Sequence, residues 1–150
     1  MDLINSKNEE EGGDPNILFD SSISPEVIKC LGACLSNPIV EIREAALNAL
    51  GVIGLPDAQE SLDKVVKCLS DVDSKNRSMA CWTISKLCEL EEPQPKLIRK
   101  MVELLKDSYW KVRTSACIAL GAIVRTPNEI VIEGLVRALK DGSINKNTIC

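Results

Sequence analysis

The chain contains no histidine. It therefore lacks the side chain that most readily exchanges a proton near neutral pH, and with it the commonest metal ligand. Aromatic residues make up only 3% of the sequence. Leu, Ile, Val and Ala supply the apolar content instead, and small aliphatic side chains suit close helix-on-helix packing better than a sheet sandwich. No apolar run approaches the roughly 20 residues that a membrane span needs. The start, Met1-Asp2-Leu3-Ile4-Asn5-Ser6, lacks the basic-then-apolar order of a secretory signal. No GxSxG, Walker-type glycine loop or HExxH motif occurs. Carboxylates fall mainly at turns and helix starts, where capping accounts for them. The expectation is a chain that is not an enzyme.

The seven cysteines are odd in number and include no CxxC pair. Cys30, Cys34, Cys68, Cys81, Cys88 and Cys117 read as small buried hydrophobes in a reducing compartment, so the expected location is intracellular, cytoplasmic or nuclear. Cys30 and Cys34 stand one helical turn apart and could share a metal. Without histidine or CxxC, no metal or cofactor is expected. Net charge is −4, so bulk attraction to nucleic acid is not expected either. The charge is uneven: residues 1–75 carry 6 Lys/Arg and 14 Asp/Glu, and residues 76–150 carry 12 and 8. Solvated helix faces plus an acidic tail explain this, with a basic surface toward the C-terminal end as the alternative.

What the sequence does contain is an echo of itself. Ile42-Arg43-Glu44-Ala45-Ala46-Leu47-Asn48-Ala49-Leu50-Gly51 returns 70 residues later as Val112-Arg113-Thr114-Ser115-Ala116-Cys117-Ile118-Ala119-Leu120-Gly121. A weaker copy, residues 76–85, lies between them. Periodicity of this kind marks one helical unit stacked several times. Such an array offers a long surface and usually no catalytic pocket.

Residues 1–22 are rich in Asn, Ser, Gly and acids and are expected to be a mostly disordered acidic tail. Ile17, Leu18 and Phe19 are the exception, able to fold back onto the first unit. Order is expected from Ser24-Pro25-Glu26, where Ser caps and Pro is pre-shaped for a first helical turn. Four units follow, at about 24–54, 57–90, 95–124 and 127–150. In the first, Val27, Ile28, Leu31 and Leu35 give one helix. Asn37-Pro38 interrupts, and Ala46, Leu50 and Ile53 line the core face of a second. Asp57 to Glu60 and Thr126 to Glu129 read as capping boxes opening the second and fourth units. The fourth unit's second helix is too short to complete a repeat by Cys150. The chain is therefore expected to be a fragment or truncated isoform, with an uncapped end able to self-associate.

Lys106-Asp107-Ser108-Tyr109-Trp110-Lys111-Val112-Arg113, leading into Ala116 and Ala119-Leu120-Gly121, resembles a HEAT repeat. The short spacing is similar to the subtype first described in phycobilin lyases. The resemblance covers about residues 24–150. It implies an all-α, right-handed α-solenoid of stacked antiparallel helix pairs, with three full repeats and a truncated fourth. It also implies a polar ladder between units, with acids at Asp71, Asp107 and Asp141 and arginines at Arg43, Arg77 and Arg113. Asn37 replaces the first acid, which is expected to weaken the ladder at that end.

In the family, second helices line the concave side. A helical wheel at about 100° per residue then places Glu44, Asn48 and Gly51 outward in unit one. Ser78, Trp82 and Ser85 follow in unit two, and Thr114, Ile118 and Gly121 in unit three. Glu44, Asn48, Ser78, Trp82, Ser85, Thr114 and Ile118 are the candidate partner-binding residues. Trp82 is either a binding anchor or a groove filler between helices. As an anchor, its truncation should weaken binding and leave the thermal midpoint nearly unchanged. Trp110 is expected to pack at its turn. Lys96, Arg99, Lys100, Lys106 and Lys111 read mostly as solvated convex-face charges.

The leading functional reading is a non-catalytic scaffold holding a protein or peptide on its concave face. One alternative is a structural N-terminal part of a longer array that binds elsewhere. A HEAT-like lyase or DNA-glycosylase-type enzyme is the minor alternative, disfavoured because the concave positions are mostly neutral.

Overall fold

The computed structural model describes residues 23–54, 58–88, 93–140 and Gly142. Among these are seven α-helices and no strand. In chain order they are α1 (Pro25–Cys34), α2 (Val40–Ile53), α3 (Leu62–Cys68), α4 (Ser74–Leu87), α5 (Pro95–Glu103), α6 (Trp110–Ile123) and α7 (Glu129–Lys140). A 3₁₀ turn, Gln59–Ser61, leads into α3, and another, Leu104–Lys106, ends α5. Each unit is a helix pair: α1 with α2, α3 with α4, α5 with α6. The second helices α2, α4 and α6 stack side by side. The expected all-α solenoid is the observed architecture. The tail, Asp57, Asp141 and the fourth unit's second helix lie outside the described residues.

The turn inside each pair is built by one side-chain oxygen. Asn37 Oδ1 accepts from the Ile39 amide at 2.9 Å, Asp71 Oδ1 from Asp73 at 2.9 Å, and Asp107 Oδ1 from Tyr109 at 2.8 Å. This is the local bonding that Asn and Asp offer where a backbone must turn. Asp73 then caps α4 by accepting from the Asn76 amide. The caps at two other starts differ from expectation. Ser24 precedes α1, but its hydroxyl bonds the Glu26 carboxylate instead of a backbone amide. In α7 the cap is Asn128, which accepts from Ile130 and Val131, not Thr126. The helix begins at Glu129, two residues later than a proline-first reading places it.

The core is a continuous seam between the layers. Leu47, Leu50, Val65, Leu69, Ile84, Leu87, Met101, Leu105, Leu120 and Ile123 are essentially inaccessible. Each such side chain contributes about 1.5–3 kcal/mol over leaving it in water. Gly134 lets α7 approach α5, because a Cβ there would sit 2.3 Å from Val102 Cγ1. The buried face of α7 is Val131, Gly134 and Ala138. Ile132, Val136 and Leu139 point away from the core.

The ladder exists and has a direction. Arg43 Nε and Nη2 donate to Asp71 at 2.7 and 2.8 Å. Arg77 repeats this fork on Asp107 at 2.7 and 2.9 Å. The remaining nitrogen, Nη1, donates to carbonyls of the arginine's own turn: Asn37 and Pro38 for Arg43, Asp71 and Val72 for Arg77, Asp107 and Ser108 for Arg113. Arg43 and Arg77 thus each fasten their own turn and the turn acid of the next unit, while Arg113 fastens its own turn and Asp141 lies outside the described residues. Asn37 takes part in no rung among the described residues. Its position would receive an arginine from a preceding unit, and among the described residues no such arginine faces it. A neutral oxygen suffices for the turn. The Arg43 hydrogen bonds hold the Asp71 carboxyl below its ordinary range. Burial pushes Asp107 up, but hydrogen bonding to Arg77 and the Tyr109 amide outweighs it and lowers the carboxyl.

All six described cysteines are free thiols. Cys68, Cys81 and Cys88 are buried as expected, whereas Cys30 is exposed and Cys34 and Cys117 are half-buried. Burial pushes the Cys68 thiol up to about 11 and the Cys81 thiol to about 12. Alkylation at pH 8 should therefore label Cys30 in the native chain and leave Cys81 unlabelled until denaturant is added, since the thiolate is the reacting form. Peptide mapping after a timed pulse of iodoacetamide measures this. Early labelling of Cys81 would contradict the packing of α4.

Candidate functional site

The second helices leave a groove of about 370 Å³, lined by Glu44 and Asn48 of α2, Lys75, Ser78, Met79 and Trp82 of α4, and Lys111 and Ser115 of α6, with Tyr109 at its edge. It straddles α4. The α2 residues lean toward α4 from one side, and the α6 residues lean toward it from the other.

Trp82 defines the groove's apolar part. Its ring lies directly on Gly51: a Cβ at Gly51 would sit 2.2 Å from Trp82 Cζ3. Gly51 is consequently buried, and the indole keeps 36% of its surface exposed. Trp82 is thus a packing residue on one face and an open apolar surface on the other. Truncating it uncovers Gly51 as well as removing an anchor, so the thermal midpoint falls along with any binding. Among the described residues nothing stands over the corresponding Gly121 as Trp82 does over Gly51.

Polar groups surround this surface. Ser78 and Ser115 share one hydrogen bond, Oγ to Oγ at 2.7 Å. One of the two hydroxyl protons makes that bond, which leaves the other for a ligand. Lys75 and Glu44 form a pair at 3.3 Å, with the lysine side chain largely in solvent. Lys111 extends over the Trp110 ring at 5.6 Å from its centroid, a cation–π contact. Trp110 itself is 57% exposed, with its ring against that of Tyr109 at its turn, centroids 6.4 Å apart. Lys111 belongs to the groove, not to the opposite face.

Of the seven residues expected to bind a partner, Glu44, Asn48, Ser78 and Trp82 meet in the groove. Ile118 is exposed outside it, and Thr114 returns its hydroxyl to the Trp110 carbonyl. Ser85 is buried, with its hydroxyl bonded to the Trp82 carbonyl at 2.7 Å. Gly51 fails as an outward position because Trp82 of the neighbouring second helix covers it. Lys75, Met79, Tyr109, Lys111 and Ser115 were missed. The available signal was the register itself, since 75 and 79 correspond to 111 and 115.

Among the described residues that line the groove the one carboxylate, Glu44, is engaged by Lys75. Among the described residues, no three His, Cys, Asp or Glu side chains gather as a metal set requires. No helix among them is long and apolar enough to cross a membrane. A second depression, about 520 Å³, lies between α3 and α5 with Lys67, Lys96 and Lys100 on its wall.

The profile of the family described as HEAT repeats matches residues 62–146. Transportin-1 from Homo sapiens and from Mus musculus is 28% identical over 119 residues, covering 71% of this chain and 13% of those proteins. Human telomere-associated protein RIF1 is 27% identical over 118 residues, covering 76% of this chain and 4% of that protein. The chain thus spans a small part of the length of these relatives. The crystal structure of an engineered protein aligns with a TM-score of 0.60 at 21% identity, over 85% of this chain and 63% of that one, a likeness of fold alone. The match is to HEAT repeats at large, and the narrower resemblance to the phycobilin-lyase subtype gains no support from it.

Proposed function

We propose that this chain, which belongs to the HEAT-repeat family, is a non-catalytic interaction scaffold that holds a peptide segment of a protein partner in the groove over α4. Repeat architecture and the similarity to Transportin-1 support a scaffold in general. The observation that carries the finer reading is Trp82, fixed on Gly51 with its outer face open between Lys75 and Lys111. An anchored indole offers rigid apolar area at little entropic cost, as binding hot spots do. The fitting segment places an apolar side chain on Trp82 and Met79 and an acidic group near Lys75 or Lys111. The spare serine hydroxyl and the Asn48 amide meet its backbone.

Selection from a random peptide display library tests this. Enriched peptides should pair an apolar residue with an acidic neighbour. Lys75→Glu combined with Lys111→Glu should weaken them about tenfold with the melting curve unchanged, because both side chains are solvated. Binders indifferent to both lysines and to Trp82 would place the interaction elsewhere.

A second reading has its own observation. Ile132, Val136 and Leu139 form an exposed stripe on α7, and Arg113 Nε is buried without a partner among the described residues. In the ladder's register Asp141 is its acid. By this reading the chain is one segment of a longer array, whose next helices or a second copy cover α7. Nothing in the groove favours a lyase or glycosylase. An intracellular location, cytoplasmic or nuclear, is proposed on the six free thiols.

A further inference from the structure

The turns inside the helix pairs form an edge of their own. Asn37-Pro38-Ile39, Asp71-Val72-Asp73 and Asp107-Ser108-Tyr109-Trp110 stand in a row tied together by the ladder. Arg43 donates to carbonyls of the first turn and grips Asp71 of the second. Arg77 joins the second turn to the third in the same way. Neighbouring turns are therefore one arginine side chain apart. Their tips are apolar and open. Val72 is 91% exposed, Ile39 and Trp110 are more than half exposed, and Tyr109 lies beside Trp110. Apolar groups gathered in this way, unlike single scattered ones, mark an interaction surface.

Beneath the tips the backbone is already satisfied. The carbonyls of residues 37, 38, 71, 72, 107 and 108 accept from arginine Nη1. The amides of Ile39, Asp73 and Tyr109 donate to the turn oxygens. Unpaired polar groups are what make burial costly, so these turns can give up water cheaply. The carboxylates of the second and third turns are engaged as well. Asp71 and Asp107 hold arginines, and Asp73 caps α4. Glu41 is exposed by the first turn, whereas Lys75, Lys106 and Lys111 are exposed around the second and third. Lys111 lies over the Trp110 ring itself.

The row thus presents protruding apolar tips, two of them aromatic, among lysines. Protruding tips fit a surface that yields to them, whereas a peptide is held in a concavity such as the groove over α4. Trp and Tyr, with an apolar body and a polar tip, settle at the level of lipid headgroups. Lysines beside them are drawn to anionic lipid. We propose that this edge, led by Val72, Tyr109 and Trp110, docks on an anionic bilayer surface without crossing it. The tips enter the headgroup boundary, and the paired ladder beneath them stays intact.

Sedimentation of the full chain with lipid vesicles tests this. The chain should pellet with vesicles of phosphatidylcholine mixed with phosphatidylserine, stay in solution with phosphatidylcholine alone, and be released as salt screens the lysines. Val72→Asp combined with Trp110→Ser should lower the partition about tenfold, since binding scales with the apolar area immersed. Both side chains are exposed and neither lines the groove, so the helical circular dichroism should not change. Brominated phosphatidylcholine in the mixed vesicles should quench tryptophan emission, and Trp110→Ser should remove most of that quenching. Failure to pellet with the mixed vesicles at low salt overturns the proposal. Pelleting that the double variant leaves unchanged places the contact elsewhere and overturns it too. If vesicles are ignored and the double variant instead loses the peptides selected by display, the edge is a protein surface and not a lipid one.

Discussion

Asp107→Ala is expected to destabilise the chain by about 3 kcal/mol, lowering the thermal midpoint by about 10 °C at this chain length. The carboxylate is 8% exposed, and the Arg77 side chain it pairs with is 15% exposed. Removing it leaves a guanidinium that still donates Nη1 to the Asp71 and Val72 carbonyls but has nothing for Nε and Nη2. It also leaves the Tyr109 amide without its acceptor. Asp107→Asn separates the two losses. Asn37 shows that an amide oxygen can hold the same turn, so this variant keeps the turn and loses only the charge. About 1 kcal/mol is expected for it.

The pH dependence follows from the direction of the shift. The folded carboxyl of Asp107 lies below its ordinary range. Its contribution is therefore complete above the unfolded value near 4 and is lost as pH falls through the lower folded value. Melting curves of the unmodified chain and Asp107→Asn should differ at pH 7 and converge in acid. A constant gap down to pH 2 would show that the rung acts by shape and not by charge.

The second prediction pairs two glycines at one repeat position. Gly51→Ala is expected to destabilise by about 1–3 kcal/mol, because the new methyl meets the Trp82 ring and the ring is rigid. Gly121→Ala is expected to stabilise by up to about 1 kcal/mol, the helix-propensity difference, since among the described residues nothing lies within 4 Å of its Cβ. Gly51→Ala should also push the indole outward and red-shift its fluorescence, and combining it with Trp82→Ala should cost less than the two changes summed. Equal effects at 51 and 121 in thermal melts would show that Trp82 does not rest on Gly51.

These two glycines show where sequence reading stopped. They occupy the same place in the echo, after Ala-Leu, and a helical wheel points both outward. What separates them is the residue that the following unit brings alongside, Trp82 in one case and none among the described residues in the other. Ser85, also placed outward by the wheel, is buried with its hydroxyl on the Trp82 carbonyl. Trp110, expected to pack at its turn, meets Tyr109 there and keeps more than half of its surface in solvent. Cys30, on an apolar helical pattern, proved exposed, as is Lys64 at the same register in α3. The ladder's residues were legible and its direction was not. Which acid an arginine meets depends on how far one unit is offset from the next.

The sequence by itself determined the units, their helix pairs, the turn oxygens at 37, 71 and 107 and the arginines that follow them. These are local matters of spacing, capping and apolar periodicity, and they repeat, so each copy checks the others. Only the tertiary structure decided which faces survive stacking. A helical wheel orients a side chain about its own axis. Whether that side meets solvent, a groove or a neighbouring indole is set by the neighbouring helix, whose position no single period encodes.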